Sequence, residues 1–214
     1  RMDRYRELVV PKKNIDCSSF GRLVLFLQCQ HSQVSAGKLI IIHNGGDPFE
    51  LYANPTSTNI TGTLLDTGNF VVREVSSKQV LWESFDDPTD TLLPSMKLGV
   101  NHWTGRNWSL TSWLAEDEPA LGAFTIDWDP MERRLVVRRR GVISWTSGVL
   151  RDGAFEFIAP KPDPLSLNYN FTNVTNEAEE YFTYSLIIDP FTPEDRRVVS
   201  GWILDYQGQI YDQA

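Results

Sequence analysis

Apolar residues run along this chain in short bursts broken by turn-forming residues, a spacing that suits β-strands. Lys38-Leu-Ile-Ile-Ile reads as a strand, Asn44-Gly45-Gly46-Asp47-Pro48 as a turn, and Phe49-Glu-Leu-Tyr52 as the returning strand. Further on, Leu64-Leu65 and Phe70-Val71-Val72 flank Asp66-Thr67-Gly68-Asn69, where Gly68 is free to take the positive φ of a tight turn. A third strand starts near Gln79 and ends in Trp82-Glu-Ser-Phe85, before a loop stiffened by Pro88 and Pro94. Tyr181 to Ile188 and Trp202 to Tyr211 supply more strands, the second turning at Gln207-Gly208, and the polar run from Asn170 to Glu180 reads as a loop. No segment sustains a 3.6-residue period, so the pattern predicts an all-β chain.

The pattern also echoes itself. Phe70-Val-Val-Arg73 leads to Val80-Leu-Trp-Glu-Ser84, and Leu135-Val-Val-Arg138 leads to Val142-Ile-Ser-Trp-Thr-Ser147. In each case an apolar strand ends in Arg, a polar turn follows, and the return strand delivers a Trp and then a Ser. The echo predicts two tandem β units divided near Gly99 to Gly105.

A chain of 214 residues holds one large or two small domains, and a hydrophobic fraction of 41% is enough for buried cores. The net charge of −8 turns it away from nucleic acid and anionic membrane surfaces as main partners. One local exception is basic: Arg133, Arg134, Arg138, Arg139 and Arg140 crowd into eight positions. They read either as a solvated hairpin tip around Arg139-Arg140-Gly141 or as a partner-binding patch facing an acidic protein or wall polysaccharide. No apolar run approaches the roughly 18–20 residues of a membrane span. The chain opens at Arg1 without a charged-then-apolar leader, so a secreted protein would be represented here in processed or partial form.

Candidate chemistry is sparse. Asp86, Asp87 and Asp90 could be a carboxylate pair for glycoside hydrolysis, but Asp87 precedes Pro88 and the Asp and Thr side chains suit loop capping, which is the reading taken. His31, His43 and His102 lack metal-ligand spacing, and no phosphate loop, dinucleotide fingerprint or nucleophile elbow occurs, so neither metal nor cofactor is expected. Cys17 and Cys29 form either one bridge or two thiols. Asn59, Asn107, Asn170 and Asn173 open N-glycosylation sequons where about one or two would arise by accident, and Asn54 is excluded by its proline; the excess points to an extracellular chain. Trp82, Trp113 and Trp145 sit in strand patterns and read as core, whereas Trp103 and Trp108, in a polar stretch, read as exposed.

Three segments match in wording as well as pattern. LLDTGNFVVRE with VLWESFDDPTDTLLPSMKLG (64–74 and 80–99), LTSWLAEDEPALGAFTIDWDP (110–130) and ISWTSGVLRDGAFEF (143–157) follow one another, the last carrying Trp145, Ser147, Gly148, Gly153 and Phe155. Together they resemble the bulb-type lectin domain and the S-locus glycoprotein domain of plant S-domain (G-type lectin) receptor-like serine/threonine kinases and S-locus glycoproteins. The resemblance implies a β-prism-like fold and four segments. Residues 1–36 are an unmatched leader lacking the family's Trp-Val-Ala-Asn-Arg run, 37–99 the back half of a bulb-type lectin domain, 100–109 a connector, and 110–214 the S-locus glycoprotein domain. Without its front half, the lectin unit should leave Leu39 to Ile42 and Phe49 to Tyr52 short of strand partners. Leu23-Val-Leu-Phe-Leu27 is the one apolar run in the leader able to replace them.

The same resemblance implies a function. The chain would be a non-catalytic recognition module on the outer face of the plasma membrane or secreted, sensing pollen or another ligand at a plant cell surface. Its partners would be an extracellular protein, peptide or glycan and a second receptor copy, with the membrane span and kinase outside this chain. The alternative is a soluble, secreted lectin-like protein of S-locus glycoprotein type. Mannose-binding members of the family use Gln-x-Asp-x-Asn-x-Val-x-Tyr on a strand. The stretch from Leu64 to Arg73 keeps Asp66, Asn69 and Val71 in kind, puts Leu64 for Gln and Arg73 for Tyr, and adds a residue between Asp66 and Asn69. Those three residues are the degenerate carbohydrate site that the resemblance offers.

Overall fold

The computed structural model describes residues 6–7, 31–35, 38–42, 49–53, 59–158, 168–187 and 200–212, and these are all-β apart from turns and one single-turn 3-10 helix. The chain divides into two units, 1–87 and 88–214.

The first unit contains a four-stranded antiparallel sheet in chain order: β1 (Arg6–Glu7), β2 (His31–Ser35), β3 (Lys38–Ile42) and β4 (Phe49–Ala53). Here the structure corrects the expectation of missing partners for Leu39 to Ile42, whereas Phe49 to Tyr52 has β3 as its one partner among the described residues. β3 is paired on both sides, and its N-terminal-side partner is His31–Ser35, with His31 opposite Ile42 and Ser35 opposite Lys38. β2 ends three positions before β3 begins. Residues 23–27, the expected replacement, lie outside the described residues.

A meander follows: β5 (Ile60–Leu64), β6 (Phe70–Glu74) and β7 (Val80–Glu83), leading into the 3-10 turn Ser84–Asp86. Ile60, Phe70 and Val72 form its core, with Tyr52, Leu64, Leu81 and Trp82 packed against them. Gly62 permits this packing: a Cβ there would fall 2.6 Å from the Phe70 ring, so any side chain would push the ring out of the core.

The second unit is built from β8 (Thr91–Leu92), β9 (Leu98–Asn101), β10 (Asn107–Trp108), β11 (Leu110–Ala115), β12 (Glu118–Asp129), β13 (Arg134–Arg139), β14 (Val142–Thr146), β15 (Leu150–Arg151), β16 (Ala154–Phe155), β17 (Asn168–Thr175), β18 (Glu179–Ile187), β19 (Trp202–Leu204) and β20 (Ile210–Asp212). Its sheets run β10-β9-β18-β17, β11-β12-β13-β14 and β20-β19-β8, with β15-β16 a two-stranded ribbon. The boundary falls at Asp87/Pro88, not at 99–105, because β8 and β9 pair with β19 and β18 from the C-terminal part. An aromatic cluster holds these sheets to one another. Trp128 stacks on Phe182 at 5.3 Å, Tyr184 on Trp202 at 5.1 Å, and Phe155 and Phe171 pack between them. Leu98, Leu110, Ile126, Leu135 and Leu204 complete a buried core.

The polar run 170–180, expected as a loop, is mostly strand: β17 pairs with β18 from Asn168–Ile187 to Thr175–Glu180. Its alternation is hidden because only Tyr169 and Phe171 mark the inward face with aromatic rings.

The sequence echo is a structural one. Val72 lies opposite Trp82 and Val137 opposite Trp145, and each strand pair bulges directly after that valine. The Ser two residues beyond each Trp makes an equivalent bond in both places. Ser84 Oγ accepts the Phe70 amide at 2.9 Å, and Ser147 Oγ accepts the Leu135 amide at 2.8 Å. Both serines are buried, so each hydroxyl takes the place of a ladder acceptor where the strand turns away.

Candidate recognition site

Asp66, Asn69 and Val71 meet at the β5–β6 hairpin but point to different surroundings. The turn closes with the Leu65 amide on the Asn69 carbonyl and the Gly68 amide on the Leu65 carbonyl, both at 2.9 Å, and Gly68 takes φ +86°. Asp66 is exposed at the tip. Val71 is 1% exposed, with no surface for a sugar ring.

Asn69 is buried and its amide is already engaged. Nδ2 donates to Glu83 Oε2 at 2.8 Å, while Oδ1 accepts from Ser84 Oγ at 3.1 Å and from the Phe85 amide at 3.2 Å. The side chain ties the hairpin to the 3-10 turn, which leaves one exposed carboxylate at the tip and not a set of convergent groups.

The carboxylates downstream are also engaged in turns. Asp87 Oδ2 accepts the Trp82 indole Nε1 at 2.8 Å. Asp90, 1% exposed, accepts Thr91 Oγ1 at 3.1 Å and Thr89 Oγ1 at 3.3 Å. Among the described residues no cluster of three or more His, Cys, Asp or Glu could hold a metal ion. Cys17, Cys29 and His43 lie outside the described residues. His102 stands 3.9 Å from Glu180. No helix among the described residues is long and apolar enough to cross a membrane.

The five arginines do not form one patch, because β13 separates them. Arg133 and Arg134 stand at its start and Arg139 and Arg140 at its end, a span of about 20 Å at the rise of a strand. Arg133 Nη2 donates to Asn173 Oδ1 at 3.3 Å, and Arg134 pairs with Asp129 at 3.2 Å. Arg138 lies 3.5 Å from Asp127, whose carboxyl is nevertheless raised above its ordinary value because burial outweighs the Arg138 charge and the Thr125 hydroxyl. Arg139 lies over the Phe124 ring at 5.8 Å. Only Arg139, Arg140 and Gly141 make the expected exposed tip.

Two tryptophans reverse their expected roles. Trp108 is buried: it lies opposite Gly99 in the β9–β10 pair, edge-on to the Tyr181 ring at 6.4 Å and under the Lys97 ammonium at 4.8 Å. Lys97 also binds Glu179 at 2.6 Å, and this hydrogen bond holds the Glu179 carboxyl below its ordinary value. Trp145 is exposed because β14 is an edge strand. Trp103 is exposed as expected, and Trp82 and Trp113 are half-buried. Of the sequon asparagines, Asn59, Asn107 and Asn170 are exposed, whereas Asn173 is half-buried with its carboxamide oxygen on Arg133.

One polar network had no sequence signal, since its members lie far apart in the chain. Tyr169 donates to Asp212 Oδ2, and Ser200 Oγ donates to Asp212 Oδ1 at 3.0 Å. Tyr184 OH donates to the Leu92 carbonyl at 2.9 Å. Burial pushes both phenols above their ordinary values, Tyr169 further so through its bond to Asp212. The network fastens β17 and β18 to β20 and β8, a structural role.

A family model described as D-mannose binding lectin matches residues 14–114, so its match begins inside the 1–36 leader. A G-type lectin S-receptor-like serine/threonine-protein kinase of Arabidopsis thaliana is 41% identical over 157 residues, covering 71% of this chain and 18% of that protein. A receptor-like serine/threonine-protein kinase of the same plant is 35% identical over 167 residues, covering 73% and 18%. An S-locus-specific glycoprotein of Brassica oleracea is 38% identical over 125 residues, covering 56% and 28%. The chain spans about a fifth of the length of the receptor kinases it matches.

Proposed function

On the premise that the chain is a relative of the plant G-type lectin S-receptor-like kinases and S-locus glycoproteins, we propose that it is an extracellular recognition module with no chemistry of its own. Its partner is a protein, peptide or glycan ligand at a plant cell surface, pollen-borne ligands included, and receptor pairing carries the signal to a kinase in the parent protein. The carrying observation is the burial of Asn69 and Val71, which favours a ligand held on the exposed strands and loops of the β units over mannose held at the hairpin. A soluble, secreted protein of S-locus glycoprotein type is the second reading, favoured by the Brassica relative.

Mannose-agarose chromatography of the secreted chain tests the site. The protein should pass through unretained. Specific retention that Asp66→Ala abolishes, with the fold intact by circular dichroism, would return the hairpin to the role of a sugar site.

A further inference from the structure

Edge strands in this protein fall into two kinds. Among the described residues, the sheet-edge strands longer than three residues are β4, β5, β7, β11, β14 and β17. In β4, β7, β11 and β14 the ladder to the inner neighbour is broken by a register shift. Such a break twists the edge and spoils it as a template for another strand. β5 and β17 have none. β5 stays in register with β6 from Ile60–Glu74 to Leu64–Phe70, and β17 with β18 from Asn168–Ile187 to Thr175–Glu180. Neither strand contains a charged residue or a proline. A regular, uncharged open edge is the kind most exposed to unwanted strand addition.

Sequon asparagines stand at both of these regular edges and on none of the broken ones. Asn59 directly precedes β5; it is exposed, and its carbonyl accepts the Val75 amide at 2.9 Å. Asn170 lies in the N-terminal half of β17, exposed and opposite the exposed Ser185. Asn173 lies opposite the buried Phe182 and therefore on the other face, where Arg133 holds its carboxamide. Arg133 thus brings a charge to the C-terminal half of the strand on its inner face. Asn170 stands in the other half, on the outer face. Asn107 is on β10, the opposite edge of the same sheet, which is only two residues long.

We propose that the N-linked glycan of Asn170, and in the same way that of Asn59, covers a regular edge strand and does there what a bulge does on the other edges. A glycan is bulky and hydrated, and one rooted on the edge strand itself fills the space that a further strand, about 4.8 Å away, would need for its side chains. β17 is the more demanding edge of the two. It is eight residues long against five for β5, and its half-buried Tyr169 and Phe171 offer an apolar face that an added strand would extend. The proposal rests on the extracellular reading only for the attachment of the sugar. Glycopeptide mapping reads attachment separately: Asn170 bare beside occupied Asn59 and Asn107 overturns the proposal alone, whereas all three bare removes the extracellular reading as well.

The deciding experiment strips the Asn170 glycan from the secreted full chain in two ways at one position. Thr172→Val and Thr172→Lys both destroy the sequon; the first leaves the edge bare and the second places a lysine on it. The associated fraction is read by size-exclusion chromatography with light scattering, at about 100 μM protein. Thr172→Val should exceed wild type about fivefold or more, while Thr172→Lys and Asn107→Gln should stay within about twofold of it. In the associated Thr172→Val material, hydrogen exchange should slow about tenfold in peptides spanning 168–175 and stay unchanged in those spanning 134–146. A smaller rise for Thr172→Val overturns the proposal. So does equal association of all the glycan-deficient variants, which would make the sugar a general solubiliser. Asn170→Gln keeps the question decidable where Thr172→Val fails to fold by circular dichroism: it should associate about fivefold more than wild type, and a folded Asn170→Gln that does not overturns the proposal equally.

Discussion

Replacing Asn69 by alanine separates a structural role for this side chain from a sugar-binding one. The substitution removes three hydrogen bonds: to Glu83 Oε2, from Ser84 Oγ and from the Phe85 amide. Glu83 is half-buried and regains a partner from water, so little is lost there. Ser84 is 5% exposed and already accepts the Phe70 amide, so its hydroxyl proton loses its acceptor, as does the part-buried Phe85 amide. Two unsatisfied groups at about 1–3 kcal/mol each, less some relaxation, give a cost of about 2–4 kcal/mol. Two units make a single unfolding midpoint ill-defined, so hydrogen exchange by mass spectrometry on peptides spanning 70–83 is the better assay. Protection in those peptides should fall about 30- to 700-fold, while peptides spanning β13 and β14 keep theirs. Asp66→Ala, at the exposed tip, should change neither. A loss of less than about threefold in Asn69→Ala would refute the bond assignments and leave the amide free for a ligand.

Alkaline pH should weaken the second unit. The phenols of Tyr169 and Tyr184 are raised above their ordinary value near 10, so the folded chain keeps protons that the unfolded chain releases; stability is full below that value and falls as pH rises beyond it. Tyr184→Phe should cost about 1 kcal/mol at neutral pH by orphaning the Leu92 carbonyl, yet flatten the alkaline loss in urea melts from about pH 8 to pH 11; identical pH slopes for the two proteins would count against it. In the secreted protein, glycopeptide mapping should find Asn59, Asn107 and Asn170 occupied and Asn173 bare, because its carboxamide is half-buried and held by Arg133; a glycan on Asn173 in natively folded protein would show that this contact yields.

Local chemistry was legible along the chain. The hairpin at 64–74 needs only two apolar flanks and a Gly at +86°, and both lie within a few residues of each other. The echo between 70–84 and 135–147 was equally plain, since a bulge after the second valine and a Ser two residues past the Trp are short-range features. The all-β class followed from period alone.

Long-range pairing decided the rest. Trp108 is buried beside Tyr181 and opposite Gly99, and Trp145 is exposed because its strand lies at an edge; neither neighbour nor edge is written near either residue. The partner of β3, the boundary at Asp87/Pro88 and the strand character of 168–175 likewise depend on which distant segments pair. Asn69 had the residue type of a sugar ligand, and Glu83, Ser84 and Phe85 folding over it engaged its amide. Sequence set the vocabulary of strands, turns and polar groups. Burial and hydrogen-bond saturation, which exist only once segments far apart are packed, determined which of those groups remain open to a partner.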